Sequence, residues 1–343
     1  MKKLVIGILA CAMTLSNYAV LTANASDYTE ETFEDFKYIA HTDYVEISKY
    51  TKTDATSSVI VPKEIDGLPV TTIGESAFYN NQKLKSVVLP EGITDIKDEA
   101  FQNCSYLQSV TLPESLVTIG KDAFNYCSKL TSVEIPESVT DIGSNAFSLS
   151  GLTEVVIPES ITVINSGTFS NCSNLKSVTF PETLTSIGYY SFSDTGLMEV
   201  TIPAKVESIG NYAFSNCSKL EKATISGINC DFSATNLGAR ALSFPSATTI
   251  YCYKNSLSEE LCIENERAFE SLGFAHIAGD ANGDTIVTIA DVVAISSFVG
   301  DSEKNPIDDE QLVKNADVHN IGDGLTANDV LMIQQYLAGN VEL

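Results

Sequence analysis

Tryptophan is absent from the 343 residues, histidine occurs 3 times, and 20 Lys+Arg face 45 Asp+Glu, for a formal charge of -25 and a pI near 4.3. Each shortage excludes something. A surface this acidic repels phosphates, and no Lys/Arg-rich run is present to neutralise a nucleic-acid backbone or to hold an anionic membrane. His41, His276 and His319 belong to no metal-ligand pair and no G-x-S-x-G segment, which argues against a histidine-based triad. The lack of Trp weakens sugar stacking, although 14 Tyr partly substitute. Beyond the first 25 residues no apolar run reaches membrane-spanning length.

Those first residues read as an export signal: Lys2 and Lys3, an apolar stretch from Leu4 towards Leu21, and Ala23-Asn24-Ala25 as a small-x-small cleavage site. Ile8-Leu9-Ala10-Cys11 departs from a lipid-attachment motif, because Leu9 is bulky and the apolar segment continues past the cysteine. Cleavage after Ala25 removes Cys11 and leaves an odd number of cysteines, so at least one thiol stays free.

What is abundant is repetition. Ile73, Ile96, Ile119, Ile142, Ile164, Ile187 and Ile209 recur at steps of 23, 23, 23, 22, 23 and 22, and each is followed five residues later by Phe, from Phe78 to Phe214. A Leu then opens a short strand, as in Leu84-x-x-Val87-x-Leu89, and Pro closes six of the seven strands, at Pro90, Pro113, Pro136, Pro158, Pro181 and Pro203. Units this short cannot bury their own apolar faces, but stacked units share one core. Cys104, Cys127, Cys172 and Cys217 stand three residues after the repeat Phe, where Asn81, Ser150 and Thr195 occupy other units. Small polar groups that replace one another suggest side chains satisfying backbone in a buried turn, not a disulfide framework. For Cys230, Cys252 and Cys262 one bridge is compatible with the sequence, and its connectivity is not readable.

Stretches such as Ile119-Gly120-Lys121-Asp122-Ala123-Phe124-Asn125-Tyr126-Cys127 resemble the BspA-like leucine-rich repeats, over about residues 33–278. The resemblance implies an α/β-type repeat: a leucine-rich-repeat solenoid with a short parallel strand per 22–23-residue unit. It divides the chain into an N-terminal cap at 26–72, seven repeats at 73–228 and a C-terminal cap at 229–278. That last cap is expected to hold the strand Thr249–Tyr253 and a helix from Leu257 to Leu272. Outward strand positions form two ladders, running from Ser86 to Lys222 and from Val88 to Thr224. They suit a broad protein or polymer contact better than a deep pocket. Glu91, Glu114, Glu137, Glu159 and Glu182 form a like-charge ladder, in which neighbours about 5 Å apart in water repel by roughly 0.8 kcal/mol. The bland reading, a solvated rim, is favoured over a cation-binding stripe.

Composition turns acidic after Gly279. In Asp280-Ala281-Asn282-Gly283-Asp284-Thr285-Ile286-Val287-Thr288-Ile289-Ala290-Asp291, oxygen side chains stand at loop positions 1, 3, 5, 9 and 12, and Ile286 offers its carbonyl at position 7. Such spacing suits a hard cation, calcium, that wants six to eight oxygens. Thr285 replaces the usual turn Gly, and position 12 is Asp instead of Glu. A helix with Val292, Ile295 and Val299 on its apolar stripe should follow. The pattern recurs with one extra residue from Asp317 to Asp329, with Asp317, Asn320, Asp323 and Asp329 as ligands.

Two loop–helix units of this kind resemble the dockerin module of cellulosomal proteins, similar to those of rumen Ruminococcus, over residues 279–343. The resemblance implies a small all-α module that holds two calcium ions and binds a scaffoldin cohesin. In that family recognition uses loop positions 10 and 11 and helix positions 17 and 18. Here these are Ile289, Ala290, Ser296 and Ser297 in the first unit, and Ala327, Asn328, Gln334 and Gln335 in the second. The two sets differ, which suggests one preferred binding orientation. With every long segment assigned to repeat, cap or dockerin, no stretch remains for a catalytic domain. The expectation is a secreted, non-catalytic cellulosome component. The alternatives are a polysaccharide-degrading enzyme component and a structural spacer.

Overall fold

The computed structural model describes residues 29–52, 58–232, 243–302, 304, 307, 309–318, 325–339 and 343. The export signal lies outside them. All but one of the coils of the repeat region open with a strand such as Ser86–Val88, the stretch 131–136 forming no regular strand, and side chains alternate between core and solvent: Val87 is 1% exposed, whereas Val88 points outward. The following proline starts a turn in which its carbonyl accepts a later amide, as in Leu116 N to Pro113 O at 3.1 Å. A second strand follows, Asp95–Ile96 in this coil, which buries the repeat Ile. One strand per unit was therefore an undercount. The repeats contain tight turns and no helices, so the result is a parallel β-solenoid of about nine turns.

Within each run of coils both strand sets pair in parallel and in register, Ser86 with Ser109 on one side and Ile96 with Ile119 on the other, and the ladders are interrupted at the middle of the solenoid. At the N-terminus the strands Glu30–Phe33, Phe36–Ala40 and Val45–Tyr50 each run antiparallel to the next. The last of them pairs in parallel with Leu68–Ile73 and starts the coil sequence.

The core is a column of rings. Phe78, Phe101, Phe124, Phe147, Phe169, Phe192 and Phe214 are at most 1% exposed and stack with centroids 4.7 to 5.6 Å apart, close to the roughly 4.8 Å rise between paired strands. The column outruns the seven units legible in sequence, continuing to Tyr50 at 5.2 Å and to Phe244 at 5.0 Å. Each ring sits between two left-handed residues. Around Phe124 these are Asp122 (φ 56°) and Tyr126 (φ 61°). The alternation aims the amides of Asp122, Phe124 and Tyr126 at Ser144, Ala146 and Ser148 carbonyls of the next coil, at 2.7 to 2.9 Å. Asn, Asp and Gly suit that backbone, and they fill most of these positions.

The cysteines complete the turn. Cys104, Cys127, Cys172 and Cys217 donate to the carbonyls of Phe78, Phe101, Phe147 and Phe192 at 3.1 to 3.2 Å, while Thr195 bonds both Phe192 O and Cys217 Sγ. Burial pushes the Cys104 thiol up to about 12 and the Cys172 thiol up to about 11. The 22-residue steps have a cause of their own. In those units one residue is missing between the Phe and the Leu, and the shortened chain runs against the previous coil, where a Cβ on Gly151 or Gly196 would lie 2.5 or 2.7 Å from a backbone oxygen.

At the C-terminal end, helix α1 spans Leu257–Glu264, shorter than the expected Leu257–Leu272. Asn265 caps it, Glu266 turns left-handed (φ 50°), and Phe269–Ser271 becomes an edge strand pairing with Thr249–Cys252. Three helices follow: α2 (Ile289–Gly300), α3 (Glu310–Ala316) and α4 (Ala327–Leu337). Val292 and Ile295 of α2 pack with Ala316 and with Ile333 of α4. Val299, expected on that stripe, is 41% exposed, because the shared core covers only the first turns of α2.

Truncating Phe147 to Ala removes contacts to two coils at once. The expected loss is about 3–5 kcal/mol of unfolding free energy in urea titration. A loss below about 1 kcal/mol would contradict the ring column as the main source of stability. The buried thiols set a pH dependence. A thiol near 9 in the unfolded chain and near 12 in the fold contributes stability below pH 9 that is lost as pH rises through that window. Cys104→Ser should therefore reduce the slope of stability against pH between 9 and 11 by about 1.4 kcal/mol per unit, as read from urea titrations at several pH values.

Candidate functional site

Two regions present side chains that the fold itself does not consume. The first is the face made by the outward positions of the longer strands. Ser109, Ser132, Glu154, Ser177, Glu199 and Lys222 are all exposed, as are Thr111, Glu134, Val156 and Thr201 in the neighbouring row. The face is shallow and uniform until its C-terminal end. There Glu199, Lys222 and Thr249 stand abreast in parallel register, as do Thr224, Tyr251 and Glu270. The Lys222 ammonium lies over the Tyr251 ring at 4.8 Å. A cavity of about 240 Å³ opens between Lys176, Ser177, Glu199, Thr201, Lys222 and Thr224. Sequence spacing located Glu199 and Lys222 but not Tyr251 and Glu270, which arrive through strands outside the repeat period. The glutamate ladder behind the prolines is exposed, and two members have structural partners: Glu91 accepts the Glu114 amide at 3.2 Å and Glu137 accepts the Glu159 amide at 3.0 Å.

The second region is the acidic C-terminal unit. In its first loop Asp280 accepts the amides of Gly283 (2.8 Å) and Thr285 (3.1 Å), Asn282 accepts that of Asp284, and Asp284 accepts that of Ile286. Thr285 takes the left-handed conformation (φ 69°) that glycine ordinarily supplies at this turn. Asp291, fully buried, accepts Ala281, Asn282 and Thr288 amides and forms a capping box with Thr288 at the start of α2. Asp329 does the same work for α4, accepting Val318 and Thr326 amides and pairing with Thr326. Asp280 is 2% exposed, and burial raises its carboxyl above the usual range.

Among the described residues no three of His, Cys, Asp and Glu converge as a metal-holding group. The donor types of the first loop do fit a hard cation. Asp280, Asn282, Asp284 and Thr288 are all oxygen donors within one tight turn, and the Ile286 position is exposed. In the second loop Asp317 is nearly buried, while Asn320 and Asp323 lie outside the described residues. The helix positions singled out from the sequence are all at the surface: Ile289, Ala290, Ser296, Ala327, Asn328 and Gln334 are exposed, and Ser297 and Gln335 half-exposed. Beside them Val293 and Leu331 are exposed apolar residues.

The unit is fastened to the solenoid. Asn255 donates to Gly283 O, the Phe274 ring lies against Gly283, and Asn315 donates to Ala275 O at 2.7 Å.

A profile described as a BspA-type leucine-rich repeat region matches residues 44–172 and 141–260. The chain belongs to the BspA-type leucine-rich repeat family. Among solved structures, it is similar to a leucine-rich cell surface protein from Faecalibacterium prausnitzii, with 34% identity and a TM-score of 0.55 over 60% of this chain and 56% of that one. A leucine-rich repeat protein from Bacteroides ovatus shares the fold at 24% identity and a TM-score of 0.56, over 71% and 68% of the two chains. The chain thus spans little more than half the length of the Faecalibacterium protein. No curated protein matches it, and no catalytic family is indicated. No helix of the described residues is long and apolar enough to cross a membrane.

Proposed function

We propose that this is a secreted, non-catalytic recognition protein. Its C-terminal unit is a dockerin that takes up calcium and docks onto a scaffoldin cohesin, and its leucine-rich-repeat face binds a protein or polymer partner. The observation that carries the docking half is the duplication. Asp291 and Asp329 occupy equivalent places, each fully buried, each the third residue of a Thr-capped helix, each tying the start of its own loop to that helix. Duplicated loops of this form suit two calcium ions. Asp280, Asn282, Asp284, Thr288, Asp291 and the Ile286 carbonyl would hold the first, where a positive charge offsets the burial of Asp280. Asp317, Asn320, Asp323 and Asp329 would hold the second. Calcium supplies no chemistry in this reading: it fixes the loops so that the helix faces present Ile289, Ala290, Ser296 and Ser297, or Ala327, Asn328, Gln334 and Gln335, to a partner.

The recognition half is supported by the family and by a face that is polar, shallow and free of structural duties. The solved Faecalibacterium neighbour is described as a cell surface protein, consistent with an extracellular setting for this chain.

The test is calorimetric titration of the full chain against a panel of cohesins, with calcium and again with chelator. The expected result is binding that disappears in chelator. Because the two helix sets differ, replacing Ile289 and Ala290 should change affinity at least tenfold more, or tenfold less, than replacing Ala327 and Asn328. Equal losses would contradict a single preferred orientation, and absence of binding to any cohesin would overturn the docking reading. Incubation with plant polysaccharides should give no reducing sugar, and sugar release would favour the enzyme alternative.

A further inference from the structure

Two buried thiols on packed elements, with a buried arginine nearby in the chain, sit in the C-terminal cap. Cys252 ends the strand Thr249–Cys252, and Cys262 lies in the second turn of α1, which packs on that strand. Both side chains are buried, and each is the other's main electrostatic neighbour. The four repeat cysteines are spent differently, each bonded to a backbone carbonyl of the preceding coil.

Arg267 adjoins the pair. Only 9% exposed, it donates to the carbonyls of Phe244 and Pro245, its own amide donates to Cys262 O at 2.8 Å, and its Nε has no acceptor. Burial pushes the Arg267 guanidinium below its ordinary range, and the neighbouring Cys262 thiol works against that shift. The interaction with Cys252, with Arg267 assisting, holds Cys262 below the ordinary thiol range, and the same interaction holds Cys252 above it. A thiol beside a desolvated cation is the more nucleophilic member of such a pair at neutral pH.

We propose that Cys252 and Cys262 are a disulfide-forming pair, a covalent clasp between α1 and the sheet at the end of the solenoid, with Arg267 as its positioning charge. With a small disulfide oxidant such as oxidised glutathione, the Cys262 thiolate attacks one glutathione sulfur and displaces a glutathione thiolate. Deprotonated Cys252 then attacks the Cys262 sulfur, closes the Cys252–Cys262 bond and displaces the second glutathione thiolate. Two protons leave the protein and two electrons reduce the oxidant to two thiols. Both sulfurs are buried, so attack follows local opening of the short helix α1 or precedes its docking during folding. Closure leaves five thiols after removal of the signal, consistent with the odd number that the sequence carries.

The experiment is refolding of the full chain, without residues 1–25, in mixed reduced and oxidised glutathione, followed by alkylation, intact mass and peptide mapping. The expected result is loss of two hydrogens, five alkylated cysteines and one cross-linked peptide pair joining Cys252 to Cys262. Cys230→Ser should keep the bridge, and Cys252→Ser or Cys262→Ser should abolish it. Arg267→Gln should slow closure in the folded protein at least tenfold at pH 7 and move its pH midpoint upward, with Arg267→Lys restoring most of the rate. A chain that keeps all seven thiols, or one bridged through Cys230, would overturn the proposal. Should a Ser or Gln variant fail to fold, the peptide map of the unaltered chain decides alone.

Discussion

Every coil of this protein depends on the coil beside it. A unit of 22 or 23 residues buries the repeat Ile and Phe and only a few further apolar side chains, too little to hold a turn-rich chain against its conformational entropy. The ring column resolves this by giving each Phe two neighbours about 5 Å away. The left-handed turns that flank each ring are the cost of that arrangement, since only they aim alternate amides at the next coil. Thiols, hydroxyls and asparagines then satisfy the carbonyls and amides that the tight turn leaves over. Stability is thus shared along the axis, and the outward face of the strands is released for other uses.

That division explains how much of the molecule was legible in sequence. The Ile and Phe periods announce core positions because a stacked coil admits no other residue there, and the Cys, Ser and Thr substitutions announce a buried turn. The second strand of each coil was hidden because two residues are too few to show an alternating pattern. The ends were hidden for a related reason. Tyr50 and Phe244 extend the column but fall off the period, and Asn265 and Glu266 end α1 before the apolar positions that suggested a longer helix. Gly151 and Gly196 show the opposite case, in which a one-residue irregularity in the period is explained by backbone contact.

The candidate sites follow the same logic. The hydroxyl ladders were predictable because they alternate with core residues, whereas the Lys222–Tyr251 contact joins a repeat residue to a cap residue. In the acidic unit, oxygen spacing marked the first loop, and the structure adds that Thr285 carries the glycine-like turn and that Asp291 and Asp329 are also helix caps. A residue that both caps a helix and closes a loop ties the order of that loop to the order of the helix. The unit's bonds to Asn255 and Ala275 bring that coupling up to the last coils, where Arg267 and the two cap thiols also lie.

The solenoid stands by stacking, whereas the proposed calcium uptake would make the order of the terminal unit follow a cation. Hydrogen exchange of the full chain, followed by mass spectrometry with calcium and with chelator, addresses that difference most directly. The amides of Phe124, Phe147 and Phe169 should exchange slowest and at the same rate in both conditions, while the first loop and helices α2 and α4 lose protection in chelator. Loss of protection in the repeats on chelation, or no change in the C-terminal unit, would contradict it.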